Sequence, residues 1–349
     1  MDDGDDQYSI FLDLFNTTEP TDQSYVVSET VQLCDKKSVN EFGAKFIPVF
    51  YYVNFLLSYL GNGLVLFIIY KYEKLSTVTN IFLLNLVLSN ILFAASLPFW
   101  ATYHLSEWIA YFIGFYSSIL FLTLMTFDRY LAVVHAVAAA KSRKKLYAII
   151  ASVIVWCISI AASVKELVLR NVWKHAVNGL MCEESGFSDD TMKRWHLFSY
   201  YQQFLLFFLL PLFMVMYCYI SITIRIMSTR MKEKCRAIKL IFVIIFTFFA
   251  CWTPYNIVIL LRAIQISSST EESCSSAESL DYALYVTRNI AYLYCCISPV
   301  FYTFLGKKFQ SHFKRLVGKK IPCLKRHISF NSQSTRTTSQ RTPHSLYEY

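Results

Sequence analysis

An acidic and a basic side chain, Asp128 and Arg129, stand side by side where a long uncharged stretch of the sequence ends. Residues 109–127 before them carry no charge, and Tyr130 follows them. A carboxylate and a guanidinium can neutralise each other at the edge of an apolar medium, and they can separate when water or a partner compensates either charge. The pair could therefore be a two-state switch, or it could simply be two charges at a helix end.

The element that carries this pair belongs to an unusually apolar chain. Hydrophobic residues make up 55% of the 349 residues, charged residues only 16%, and the mean hydropathy is +0.39. A soluble protein with several buried core helices is the alternative, but such helices rarely run this long without charge. The apolar stretches approach the roughly 20 residues that a helix needs to cross a bilayer, and a bilayer excludes open strands. We expect seven spans, at about 45–70, 77–104, 108–134, 146–166, 197–226, 238–263 and 281–305.

The predicted fold class is an all-α membrane protein, a bundle of seven transmembrane helices with a short amphipathic eighth helix. The N-terminal segment 1–44 is acidic, whereas the loops after spans three and five and the tail 306–349 are rich in Lys and Arg. Basic loops mark the cytoplasmic side, so the N-terminus is expected outside and the tail inside. The net charge of +9 then reflects topology, not nucleic-acid binding. The acidic start also does not resemble a cleavable signal peptide.

Several side chains outside the spans suggest modification. Asn16 lies in an N-x-T sequon and is a glycosylation candidate if extracellular. Cys34 lies just before span one and Cys274 just before span seven, neighbours in a closed bundle, so we expect a disulfide between them in the oxidising compartment. Cys323 follows a basic amphipathic stretch and is a palmitoylation candidate. The Ser/Thr-rich tail is either a solvated segment or a phosphorylation cluster.

The motifs in order along the chain resemble a class A G-protein-coupled receptor, and more narrowly a chemokine receptor. The matching segments are GNGLV, LNLVLSN, SLPFW, YFIGFYSS, DRYLAVVHAV, CWTPYN and SPVFY. Arg288 stands where most CC receptors have a glutamate, and with the run KYEKLSTVTNIFLLNL it is similar to the lymphotactin (XC) receptor.

The resemblance implies a role for the charged pair. In the family, the acid matching Asp128 restrains the arginine matching Arg129 at rest, and the freed arginine contacts a heterotrimeric inhibitory G protein on activation. The other positions implied to take part in this switch are Tyr130, Tyr219, Trp252, Pro254, Pro299 and Tyr302. Arrestin and receptor kinases would act on the Ser/Thr-rich tail, and membrane lipid surrounds the spans.

The ligand implied by the family is a chemokine, a small basic protein. Tyr8 follows the acidic run DDGDDQ, a context that favours sulfation, and this segment would attract the ligand over long range. The residues that match the ligand cavity by position are Tyr51, Trp100, Tyr111, Tyr255 and Arg288. A charge within a span indicates function by default, and Arg288 would favour a carboxylate-bearing or carbonyl-rich ligand terminus.

Three features depart from the family pattern. The segment HLSEWIAYFIGFYSS lacks about ten residues and the cysteine that begins span three in relatives, so Cys182 lacks its usual partner. Such a disulfide typically contributes about 2–4 kcal/mol. Asn90 replaces an aspartate that binds sodium, and Ser298 replaces the asparagine of NPxxY. Lys165 stands where span four usually has a proline.

The sequence therefore predicts a plasma-membrane chemokine receptor, of XC or CC type, that couples to an inhibitory G protein and drives calcium signalling and leukocyte chemotaxis. An atypical scavenger receptor and a folding-impaired isoform are the alternatives. A retinal protein is rejected because the last span has no lysine. No catalytic set, metal-ligand spacing or phosphate loop is found, so neither enzymatic activity nor a cofactor or metal is expected.

Overall fold

The computed structural model describes residues 37–72, 75, 77–98, 105–142, 144–168, 170–175, 179–184, 188–228, 235–268, 274–305 and 311–312. All of them belong to one compact unit, Lys36–Tyr349. Within them the architecture is a bundle of long helices, which confirms the helical membrane fold predicted from the sequence.

Seven long helices follow each other along the chain, and the fifth is built from three consecutive segments. They are α1 (Lys37–Tyr72), α2 (Val78–Ser96), α3 (Leu105–Val134), α4 (Lys145–Val168), α5 (Asp189–Phe204, Leu205–Leu209 and Leu210–Ser228), α6 (Cys235–Ser267) and α7 (Cys274–Leu305). A short helix, Ala136–Ser142, links α3 to α4. Six of the long helices in the described part meet the length and hydropathy expected of a membrane span. The remaining one, α7, is 32 residues long but more polar.

One feature was not predicted from the sequence. Between α4 and α5 the chain forms an antiparallel hairpin of β1 (Arg170–His175) and β2 (Gly179–Glu184). Cys182 lies in β2 opposite Val172. Of the predicted eighth helix, only the helical residues Ser311 and His312 lie within the described part.

The third helix is long enough to cross a bilayer although the sequence before it is shortened. It has 30 residues, and Ala110–Val134 forms its apolar, span-like part. At 1.5 Å per residue, a helix of about 25 residues covers roughly 37 Å, more than the ~30 Å of hydrocarbon. The described third helix is therefore long enough to form a span.

The third helix also lies at the centre of the bundle, where it packs against α2, α4 and α5. It approaches α2 closely at Gly114, where an added Cβ would lie 2.6 Å from the backbone nitrogen of Phe93. Trp156 of α4 also contacts α2, donating its indole N–H to Asn85 Oδ1 at 2.8 Å. The remaining helices close the ring: α1 packs on α2 and α7, and α7 packs on α6.

Proline residues interrupt the regular hydrogen bonding of three long helices. Pro48 lies in α1, Pro254 in α6 and Pro299 in α7. The fifth helix widens to a π-helix at Leu205–Leu209, just before Pro211. Proline donates no backbone hydrogen bond, and π-helical turns are a common way to accommodate the resulting gap.

Candidate functional site

A cluster of tyrosines surrounds Arg288 near the end of the bundle that is expected to be extracellular. Its guanidinium interacts electrostatically with the phenol groups of Tyr292, Tyr51, Tyr255 and Tyr111. These groups come from α1, α3, α6 and α7, so four helices contribute to one cluster. Of the predicted ligand-binding residues, the structure brings Tyr51, Tyr111, Tyr255 and Arg288 together.

The centre of this cluster is Tyr292, which sequence reasoning missed. Its ring centroid lies 5.6 Å from that of Tyr51 and 5.7 Å from that of Tyr111. Tyr292 follows Arg288 by one helical turn on α7, and residues four apart share a helix face. That spacing could have identified it.

The tyrosine rings are more deeply buried than the arginine that they surround. Tyr292 and Tyr111 are 0% and 2% exposed, but Arg288 is only half-buried. The guanidinium carbon lies 5.4 Å from the ring centroid of Tyr285, the distance of a cation–π contact.

An ion pair also joins α6 to α7 in this half of the bundle. Arg262 Nη2 lies 2.9 Å from Asp281 Oδ1, and both side chains are largely buried. Neither residue was identified from the sequence, where each reads as an isolated charge near a helix end. The pair ties together two helices that carry Tyr255 and Arg288.

A series of ring contacts connects the tyrosine cluster to Trp252 of α6. Phe93 lies 5.0 Å from Tyr111 and 6.2 Å from Trp252, measured between ring centroids. Phe115 stacks directly on Trp252 at 4.2 Å. The indole Nε1 of Trp252 is buried and has no hydrogen-bond partner among the described residues. Pro254 follows two residues later in the same helix and is half-buried.

The middle of the bundle holds a neutral hydrogen-bonded centre around Asn90. Asn90 Nδ2 donates to Ser298 Oγ at 3.0 Å and to Asn62 Oδ1 at 3.4 Å, while Ser118 Oγ donates to Asn90 Oδ1 at 3.0 Å. All four side chains are buried. Pro299, next to Ser298, packs against α1 at Gly61, where an added Cβ would lie 3.0 Å from its ring. These contacts link α1, α2, α3 and α7 through the two altered sodium-site positions.

At the opposite end from Arg288, Thr79 of α2 connects Asp128 and Arg129. Its hydroxyl donates to Asp128 Oδ2 at 3.3 Å and accepts a hydrogen bond from Arg129 Nη2. Asp128 is buried at 1% exposure. Thr79 was not identified from the sequence, because a threonine near a helix start is ordinary.

The tyrosines of the predicted switch lie on either side of this pair. Tyr130 OH lies 3.0 Å from His135 Nε2 and 3.5 Å from Tyr217 OH, which joins α3 to α5. Tyr219 is buried, interacts electrostatically with Arg129, and packs edge-on against Phe242 of α6 at 5.3 Å. The structure thus gathers Asp128, Arg129, Tyr130 and Tyr219 where α3, α5 and α6 meet.

Several predicted positions fall outside the described part of the structure. These are Tyr8, Asn16, Cys34, Trp100 and Cys323, and the side chains of Cys274 and Tyr302 within α7. The predicted disulfide between Cys34 and Cys274, the glycosylation and the palmitoylation therefore remain predictions.

Comparison with known proteins gives consistent matches along the chain. The model of the 7 transmembrane receptor (rhodopsin family) matches residues 61–302. The C-C chemokine receptor type 3 of Cavia porcellus is 35% identical over 331 residues, which cover 91% of this chain and 91% of that protein. The C-C chemokine receptor type 1 of Homo sapiens is 36% identical over 302 residues, 82% of this chain and 84% of that protein.

The C-C chemokine receptor type 4 of Homo sapiens is 31% identical over 358 residues, 96% of this chain and 98% of that protein. These matches confirm the resemblance inferred from the motifs. The range matched by the family model begins within α1 and ends within α7, and it includes the charged pair and all of the tyrosine cluster except Tyr51. The chain therefore belongs to the rhodopsin family of seven-transmembrane receptors and, within it, to the chemokine receptors.

Proposed function

We propose that this chain is a plasma-membrane receptor that binds a CC-type or XC-type chemokine at its extracellular face and activates an inhibitory G protein. Calcium signalling and leukocyte chemotaxis would be the cellular response. The N-terminus would be extracellular and the tail cytoplasmic. The observation that carries the proposal is the continuous path of contacts from Arg288 through Tyr292, Tyr111 and Phe93 to Trp252.

Ligand capture would begin at the acidic segment 1–44, because chemokines are basic and long-range attraction accelerates association. Tyr8, sulfated, would add negative charge, and Trp100 would line the cavity. The ligand's N-terminal segment would then reach Arg288, the half-buried cation above the tyrosine rings. A guanidinium donates hydrogen bonds in a fork geometry, so it favours carboxylate or carbonyl oxygens on that segment.

Transmission would pass through Trp252. Its indole ring packs against Phe115 and Phe93, so rotation of the ring would change these contacts. Pro254 allows α6 to bend at this point. A ligand that displaces Tyr111 or Tyr292 would thereby alter the packing that holds α6.

At the cytoplasmic end, the resting state would be held by Thr79, whose hydroxyl touches both Asp128 and Arg129. Outward movement of α6 would withdraw Phe242 from Tyr219 and release Arg129 toward the G protein. Pro299 and Tyr302 would adjust α7 in the same step. A ligand shifts this equilibrium only by its differential affinity for the two states.

The segments outside the described structure would complete the receptor. A Cys34–Cys274 disulfide would fasten the N-terminal segment to α7, Asn16 would carry a glycan, and palmitoylated Cys323 would anchor the tail to lipid. Receptor kinases would phosphorylate the Ser/Thr-rich tail, and arrestin would bind the added charge.

The proposal is tested by measuring inhibition of cAMP production in cells that display the receptor, with antibody labelling of the N-terminus as proof of display. A panel of CC and XC chemokines would be applied with and without pertussis toxin. A toxin-sensitive response to one or two chemokines is expected, and the variant Arg129→Ala should abolish it while ligand binding persists. Chemokine uptake without any cAMP change would indicate a scavenger receptor instead, and failure of surface display would indicate a folding-impaired isoform.

A further inference from the structure

A cavity of about 330 Å³ lies between α4 and α5, away from the tyrosine cluster. Its α4 wall is made of Ala161, Ala162 and Val164 with Lys165, and its α5 wall of Trp195, Phe198 and Gln202. Most of this wall is apolar, and one cation stands in it. A volume of this size is within the range of small-molecule sites, roughly 300–1,000 Å³.

The cation of this cavity is held within the protein. Lys165 is 8% exposed, its ammonium donates a hydrogen bond to Ser199 Oγ, and it lies 5.6 Å from the ring centroid of Phe198. Lysines near the ends of membrane helices usually extend to the interface and keep their charge in water. Burial of Lys165 against α5 is therefore unusual, and an intramembrane charge of this kind indicates a function.

The level of Lys165 in the bundle matches that of a lipid headgroup. It lies three residues before the end of α4 at Val168, a rise of about 4.5 Å. Trp195 lines the same cavity, and tryptophan is enriched where hydrocarbon meets the polar interface. Two other residues of the wall, Val164 and Phe198, have 46% and 53% of their surface exposed when no membrane surrounds the protein. The cavity therefore opens toward the lipid phase.

Gln202 of α5 adds a second polar group to the wall. Gln202 Oε1 is buried without a hydrogen-bond partner in the described part of the chain. Turning the amide about its last bond exchanges this acceptor for an N–H donor. The wall would then offer two donors, Lys165 Nζ and Gln202 Nε2, which together suit the two oxygens of a carboxylate.

We propose that the cavity between α4 and α5 binds a long-chain fatty acid from the outer leaflet, with its carboxylate at Lys165 and its chain along Ala161, Ala162 and Phe198. The position of the cavity at the outer leaflet favours a fatty acid over an anionic phospholipid, because anionic phospholipids are concentrated in the cytoplasmic leaflet. The single acyl chain also suits a narrow cavity. The small side chains of Ala161 and Ala162 supply the room.

The test uses the purified full-length receptor in nanodiscs of neutral phosphatidylcholine and a photoreactive, alkyne-tagged oleic acid. Saturable labelling is expected on the α4 and α5 peptides that contain Lys165 and Trp195. Unlabelled oleate should compete and methyl oleate should not, because the ester has no negative charge. Lys165→Met should raise the concentration for half-maximal labelling at least ten-fold, whereas Lys193→Met, an exposed lysine of α5, should leave it unchanged.

A second variant keeps the test decisive if Lys165→Met fails to fold, which the thermal unfolding midpoint would show. Ala161→Trp fills the cavity from an exposed position and retains the cation, so it should abolish labelling of the same peptides. Equal labelling of the wild type and both variants would overturn the proposal, as would equal competition by methyl oleate. Displacement of the probe by phosphatidylserine at lower concentration than by oleate would assign the cavity to a phospholipid and equally overturn it.

Discussion

The amide nitrogen of Asn90 donates a hydrogen bond to Ser298 Oγ at 3.0 Å, so the buried centre of this receptor is held by two neutral side chains. Ser118 completes the arrangement from α3 by donating to Asn90 Oδ1 at 3.0 Å. A cation transferred into such a buried site loses its hydration, and neutral oxygens alone compensate this poorly. We therefore expect the wild-type centre to bind sodium weakly.

The first prediction concerns sodium. Replacing Asn90 by Asp introduces a carboxylate of the same shape beside the hydroxyls of Ser118 and Ser298, and sodium should then stabilise the receptor. At a sodium concentration ten times the dissociation constant, the free energy of unfolding should rise by about 1.4 kcal/mol. The measurement is the thermal unfolding midpoint in NaCl against N-methylglucamine chloride. The wild type should show the same midpoint in both salts, and a sodium-dependent wild type would contradict the prediction.

The second prediction concerns the tyrosine cluster. Arg288→Gln removes the charge but retains a polar side chain, and it should lower the potency of an activating chemokine at least ten-fold. A hydrogen bond to a charged group contributes about 1.5–3 kcal/mol, and losing that much binding free energy lowers affinity at least ten-fold. The readout is the dose–response of cAMP inhibition at matched surface display. The control is Arg194→Gln, because Arg194 is an exposed arginine of α5 outside the tyrosine cluster and should change potency far less.

The helices of this fold follow from the sequence more readily than its connections do. Uncharged stretches such as residues 146–164 leave a chain no alternative to helix in a bilayer, and α4 indeed covers them. The hairpin at 170–184 carries charged residues in both strands and no alternating pattern, so nothing local predicts it. The π-helical turn before Pro211 was not predicted either, and within it Phe207 stacks on Tyr116 of α3 at 3.9 Å.

The third prediction concerns Thr79. Thr79→Val removes the hydroxyl that contacts Asp128 and Arg129 but keeps the shape of the side chain. The resting arrangement should lose about 1 kcal/mol. Basal nucleotide exchange on a reconstituted inhibitory G protein should rise several-fold without ligand. Thr123→Val is the matched control, since the Thr123 hydroxyl donates to the carbonyl oxygen of Ile119 in its own helix, at 2.8 Å. Equal basal activity in both variants would mean that Thr79 does not hold the resting state.

The site shows the same division between what sequence reveals and what only packing determines. Arg288 is recognisable because a charge within an apolar span has few explanations. The sequence does not single out Thr79, Ser118 or Tyr292. Hydroxyl-bearing residues are common in membrane helices, and their roles depend on which helix they face. Thr79 contacts residues 49 and 50 positions away, and that contact exists only once α2 packs on α3.

The last prediction concerns the contact between α2 and α3, which must form although the cysteine that usually begins the third span is absent. At Gly114 an added Cβ would lie 2.6 Å from the backbone nitrogen of Phe93 and 2.8 Å from its Cα, so a backbone would have to move. Gly114→Ala should therefore destabilise the receptor by about 1–3 kcal/mol through overpacking. Gly63→Ala is the control, because nothing lies within 4 Å of the added Cβ and alanine is the better helix former by about 1 kcal/mol. The thermal unfolding midpoint should fall for the first variant and stay level or rise for the second. If both variants behave alike, helix propensity and not the close approach of α2 to α3 governs stability at Gly114.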